Sequence, residues 1–163
     1  MKETGAHVRR DVYAAELSTA REEAWLDVWG FGSVDVADLL VDVTIRHPAE
    51  CRYQPGSSRT PGSAAAKAEQ EKSERYPAAS GRRVTPFAVE TWGRLGLSAE
   101  ALLVHLAAAA ARRDMWRGRV DVLRLRRWRG QLDATLQRGV SAALIAAHEG
   151  LPGHAHNRRA AHE

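Results

Sequence analysis

Cysteine is all but absent from this 163-residue chain: Cys51 is the only one. No intramolecular disulfide can form, and a reducing compartment fits better than an oxidising one. No apolar run approaches the roughly 18 residues of a membrane span. The opening MKETGAHVRR is polar and lacks the apolar region of a secretory signal. P-loop, G-x-S-x-G and zinc-finger spacings are missing, and no internal repeat is visible. Lysine is scarce too, since Lys2, Lys67 and Lys72 are the only three among 24 basic residues. The histidines His148, His154, His156 and His162 crowd a Gly/Pro-containing end with no cysteine beside them. They read as a solvated tail rather than a metal site.

What is present fits one soluble domain with a single core: 44% hydrophobic residues and a length within the usual domain range. The net charge is +4 and the pI about 9.7. The basic residues are overwhelmingly arginine, whose fork matches phosphate geometry. Eight of them fall between Arg112 and Arg129 against Asp114 and Asp121. Arg112, Arg113, Arg117, Arg119, Arg124 and Arg127 are the candidates there for contact with a polyanion. The alternative is a solvated helix face.

The stretch WLDVWGFGSVDVADLLVDVTI, residues 25–45, reads as two short strands joined by a Gly/Ser-containing turn, each with one aspartate among apolar residues. Period 2 sets Val41, Val43 and Ile45 on one face and Asp42 with Thr44 on the other. A carboxylate inside an apolar strand is costly unless a charge or a hydrogen bond meets it. Asp27 and Asp42, 15 positions apart on neighbouring strands, can converge, and a divalent cation is the simplest partner for the pair.

Around these strands the pattern predicts a helix over 5–23, strands over 25–29 and 39–46 and a loop over 49–62. A helix over 63–76 carries Ala65, Glu69, Lys72 and Tyr76 on one stripe. A turn over 78–81 precedes a third strand ending at Glu90. Ser98 is the expected N-cap of a helix to about 116, broken at Gly118. A last helix over 120–147 carries Val122, Leu125, Trp128, Leu132, Leu136, Val140 and Leu144 at heptad-like spacing. The end of the chain reads as disordered. The five tryptophans read as mostly core, because no basic–aromatic interleave runs along the sequence.

The order of these elements resembles the PD-(D/E)XK nuclease fold. More closely, it resembles the restriction-like endonuclease domain at the C-terminal end of some non-LTR retrotransposon polyproteins. The residues that carry the likeness are WLDV, LLVDVTIRHP, AEQEKSERY and VTPFAVETWGRLG, with WRGQLDATLQRG in the following helix and His7, Arg10 and Asp11 in the opening one. They span about residues 5–145. The resemblance implies an α/β protein: a small mixed sheet flanked by helices over 1–97, a C-terminal helical extension over 98–148 and a tail over 149–163. It implies Mg²⁺ or Mn²⁺ held by Asp27 and Asp42, with Lys72 as the cationic catalytic group. Glu69 and Glu90 would support the metal or the lysine, and Tyr76 would position Lys72 or a phosphate. DNA is the implied substrate, a reverse transcriptase domain or chain the implied partner, and an intracellular, in eukaryotes nuclear, location follows. The chain departs from the family pattern at three places. Asp42-Val43-Thr44 lacks the lysine of D/E-x-K, which in the retrotransposon branch sits on the next helix, where Lys72 stands. Leu26 replaces the proline of P-D. A helix over 5–23 leaves too little chain for the strand that normally opens the sheet.

Two other functions fit the same residues. A non-catalytic nucleic-acid-binding module would keep the fold and the arginine stripe without cleavage. A helical interaction protein would use the 120–147 heptads to pair with a partner or a second copy.

Overall fold

A computed structural model of the chain describes residues 2–19, 23–33, 38–76, 83–114 and 121–149. Its centre is a four-stranded mixed sheet in the order β1-β2-β3-β4, formed by β1 (His7–Tyr13), β2 (Trp25–Phe31), β3 (Leu39–Arg46) and β4 (Val84–Glu90). The first three strands run antiparallel to their neighbours, and β4 lies parallel to β3. Between β3 and β4 the chain forms a short helix α1 (Gln54–Ser57) and the crossover helix α2 (Ser63–Arg75). After β4 come α3 (Leu97–Arg113) and the long α4 (Val122–His148). The expected break at Gly118, the turn over 78–81 and the tail beyond Glu149 lie outside the described residues. No described helix is long and apolar enough to cross a membrane.

The expected opening helix is instead β1, flanked by one-turn 3₁₀ helices at Lys2–Thr4 and Ala15–Leu17. The reason is arithmetic. Val8 and Val12 are four apart, which places them on one face of a helix and equally on one face of a strand. Pairing decides between the two, because β1 is matched to β2 from His7↔Phe31 to Tyr13↔Trp25. The opening strand that the helix reading left no room for therefore occupies the same residues.

Helix α2 covers one face of the sheet with small side chains. Ala64, Ala65 and Ala68 are no more than 1% exposed, and Ala65 and Ala68 pack on Ala88 of β4. Beside them Leu26, Leu40, Tyr76 and Val84 form a second cluster. On the opposite face α3 lays Leu102, Leu106 and Ala109 against Ala6 and Val41. Helix α3 therefore belongs to the sheet's own core, while α4 packs on it through the half-buried Trp128 and has Leu136 as its one buried side chain.

The second face is covered over only part of its length. Beyond Val41, β3 presents Val43 and Ile45, which are 39% and 52% exposed, whereas Asp42 and Thr44 on the α2 side are 3% and 7% exposed. Alternation along β3 is as the sequence sets it, but burial runs against polarity. Between this apolar strip and Leu132, Leu136, Val140 and Leu144 of α4 lies an open groove of about 960 Å³.

Candidate active site

The buried polar face of β3 gathers the residues that matter. Lys72, in the last turn of α2 and 18% exposed in its side chain, donates from Nζ to Asp42 Oδ2 at 2.6 Å. Asp27 Oδ2 accepts the Val43 backbone N–H at 2.6 Å. The β2–β3 ladder runs only from Val28↔Val41 to Gly30↔Leu39. The Asp27 carboxylate therefore takes over a backbone donor just where the strand pairing stops, and this fixes its position.

Asp27 and Asp42 come within hydrogen-bonding reach of each other. Burial pushes the Asp42 carboxyl above the usual aspartate range. Hydrogen bonding and repulsion from Asp27 push the same way, and the Lys72 ammonium pulls back. Asp42 thus meets both the Asp27 carboxyl and the Lys72 ammonium. A pocket of about 350 Å³ opens there, lined by Glu23, Trp25, Asp42, Lys72, Arg75 and Tyr76. Tyr76 is 7% exposed and packs behind the pair, with the Arg75 guanidinium 5.1 Å from its ring centre.

Glu69 and Glu90 are placed elsewhere. Glu69 Oε1 accepts the backbone N–H groups of Ser98 at 3.0 Å and Ala99 at 3.2 Å, the first turn of α3. Gly96 makes this possible, since a Cβ at that position would collide with the Glu69 carboxylate. Ser98 is expected to cap α3 with its own side chain. Instead the cap residue is Gly96 and the capping group arrives from α2. Glu90 Oε1 likewise accepts the Ala65 N–H at 3.3 Å in the first turn of α2. Both glutamates satisfy helix N-termini, where orphan donors and the helix dipole favour a carboxylate. Neither reaches Lys72 in the hydrogen bonds described.

Three arginines of the stripe, Arg124, Arg127 and Arg129, are engaged by the chain's own acids. Arg124 meets Asp114 at 2.5 Å, Glu3 at 3.1 Å and Asp121 at 3.6 Å, and its pKa is raised first of all by the Asp114 hydrogen bond. Arg127 pairs with Glu3 and Arg129 with Glu100. Arg113 lies against Gly5, Arg112 also has a partner, and Arg117 and Arg119 fall outside the described residues.

Three residues of the pocket have no site role in the sequence reading: Glu23, Trp25 and Arg75. Arg75 could have been found by helical spacing, because it stands three positions after Lys72. Trp25 sits two before Asp27 on the same strand. Glu23 lies in an irregular segment and leaves no periodic signal. The tryptophans fit the core assignment in part: Trp29 and Trp128 are half-buried and pack against core clusters, Trp25 is half-buried, and Trp92 is 68% exposed. Trp116 lies outside the described residues.

No family model, no curated protein and no solved structure matches the chain.

Proposed function

We propose that this chain is a Mg²⁺- or Mn²⁺-dependent endodeoxyribonuclease built on a PD-(D/E)XK-type core. The observation that carries the reading is the meeting of Asp27, Asp42 and Lys72 on one face of a mixed sheet. The donor set suits a small hard cation. Two carboxylates held this close repel each other, and a divalent ion relieves the repulsion. Among the described residues no group of three His, Cys, Asp or Glu gathers to hold a metal, so the remaining positions are left to water and phosphate oxygens. Bound there, the ion supplies Lewis-acid polarisation of the phosphoryl group and a nucleophile at neutral pH.

The chain's own residues do the rest. Asp27, pinned by the Val43 N–H, and Asp42, held by Lys72, keep their oxygens in a fixed relation. Lys72 orients the attacking water by hydrogen bonding and offsets the charge that builds on the phosphate oxygens. Tyr76 backs the lysine, and Arg75 places a second cation in the same pocket. A nick made this way leaves a 3′-hydroxyl that another domain or chain could extend by reverse transcription.

Incubation with supercoiled plasmid and Mg²⁺ or Mn²⁺ tests this. Wild-type protein should convert it to open circles, and nicking that survives Asp42→Ala or Asp27→Ala sinks the assignment.

One observation favours a second reading, a nucleic-acid-binding module without cleavage. Lys72 already neutralises Asp42 directly, and no third acidic ligand joins the described pair. That module would bind DNA with a steep salt dependence that neither metal nor Asp42→Asn alters.

A further inference from the structure

The aromatic–basic interleave that is missing along the sequence exists across two strands. In the register of β1 on β2, His7 faces Phe31 and Arg9 faces Trp29. The Trp29 and Phe31 rings lie 4.7 Å apart, and His7 lies 5.6 Å from Phe31. The Arg9 guanidinium sits 5.8 Å from the centres of both rings. At the other end of the same strand pair Tyr13 faces Trp25 at 5.2 Å. His7, Arg9 and Tyr13 are exposed, as is most of this edge strand.

The indoles are gripped by their edges. Trp29 Nε1 donates to Asp38 at 3.0 Å and Trp25 Nε1 donates to Glu23 at 3.1 Å. Rings fixed in this way bind a flat partner with little loss of side-chain freedom. Trp25 also lines the pocket that holds Asp42 and Lys72, so the rings lead from the sheet edge to that pocket.

We propose that the β1–β2 surface is a stacking platform for an unpaired nucleic-acid strand, whose bases lie on the Trp29/Phe31 and Tyr13/Trp25 rings while Arg9 meets the backbone phosphate. Three arguments select this occupant. A ring face serves an unpaired base and is useless to one already stacked in a duplex. A guanidinium over aromatic rings supplies both cation–π attraction and a phosphate contact. On α4, Arg124, Arg127 and Arg129 are engaged by Glu3, Asp114, Asp121 and Glu100, whereas Arg9 lies over rings at the open edge. The proposal rests on the nuclease reading for the fate of the bound strand, not for its binding.

Binding is therefore measured in EDTA, where no cleavage occurs. Labelled oligothymidylate, oligouridylate and a DNA duplex of equal length are titrated by fluorescence anisotropy, with tryptophan emission followed in parallel. The single strands should bind more tightly than the duplex and quench tryptophan, and the ratio of the two tells whether DNA or RNA is preferred. Arg9→Ala and Phe31→Leu should each weaken single-strand binding roughly tenfold, with the melting temperature of Arg9→Ala unchanged. Arg9→Lys should fall between, and Arg127→Ala should change binding less than about twofold. Equal or tighter binding of the duplex, or wild-type affinity in Arg9→Ala, overturns the platform. Intact single-strand binding without nicking leaves the platform standing and removes the nuclease.

Discussion

Among the described residues the carboxylates of Glu69, Glu90 and Asp42 are buried and that of Asp27 is half-buried, and these four divide into two pairs that solve the same problem in different ways. Glu69 and Glu90 end against backbone N–H groups at the starts of α3 and α2. Asp27 takes one backbone N–H, that of Val43, and Asp42 takes the Lys72 ammonium, but the two carboxyls also face each other. The first pair lowers the free energy of the fold, because each charge meets donors that would otherwise be orphaned. The second pair is held together at a cost, which Lys72 reduces without abolishing. Strain of that kind, kept by a surrounding structure that could have avoided it, is characteristic of sites that bind or react.

The sharpest break of this contrast is in activity. Asp42→Asn should lower nicking at least about a hundredfold, because the metal's contribution amounts to several kcal/mol. Glu69→Ala in the same plasmid assay should leave nicking per folded molecule unchanged. In stability the order reverses. Glu69→Ala uncovers two N–H groups at a buried helix start and should cost about 2–3 kcal/mol, read as a lower midpoint in urea unfolding. Glu90→Ala gives up a longer hydrogen bond and should cost about 1 kcal/mol. Glu69→Gln keeps an acceptor and should recover part of the loss, which an effect of helix propensity alone would not do.

Asp42→Asn should be stabilising at neutral pH in EDTA, by a smaller amount than either glutamate change removes. The sign follows from linkage. The folded-state carboxyl is raised above its unfolded value, so the folded protein binds the proton more tightly between the two. Stability is then greatest below the unfolded value and falls as pH climbs through the folded one. Denaturant titrations across that window should show this slope in the wild type and lose it in Asp42→Asn. Adding Mn²⁺ should raise the thermal midpoint of the wild type and leave Asp42→Asn where it was. A variant equally stabilised by Mn²⁺ would mean that the ion binds elsewhere.

Much of this arrangement can be read from the chain before any coordinates. β3 and α2 have clear signals: alternation ended by His47-Pro48, and an alanine-rich segment stopped by Pro77. The approach of Asp27 and Lys72 to Asp42 follows from strand and helix spacing. Residues 7–13 misled because a four-residue repeat of valines serves both periods, and only the partner strand settles it. Glu69 and Glu90 could not be told from ligands, since a carboxylate at another helix's first turn is a tertiary fact with no local pattern. The aromatic platform was hidden for a related reason. Arg9 and Trp29 are 20 positions apart in sequence and become neighbours only through the β1–β2 register. The same holds for the arginine stripe, which looks open in one dimension and is met in three by Glu3 from the far end of the chain.

The uncovered side of the sheet has a practical corollary for whoever handles the protein. With Val43, Ile45 and Leu144 facing water across a wide apolar cleft, the native state itself should light up an environment-sensitive dye such as ANS, a signal ordinarily taken as the mark of a loosened fold. Melting would then dim the fluorescence instead of raising it. Early retention on a phenyl column would come from correctly folded material.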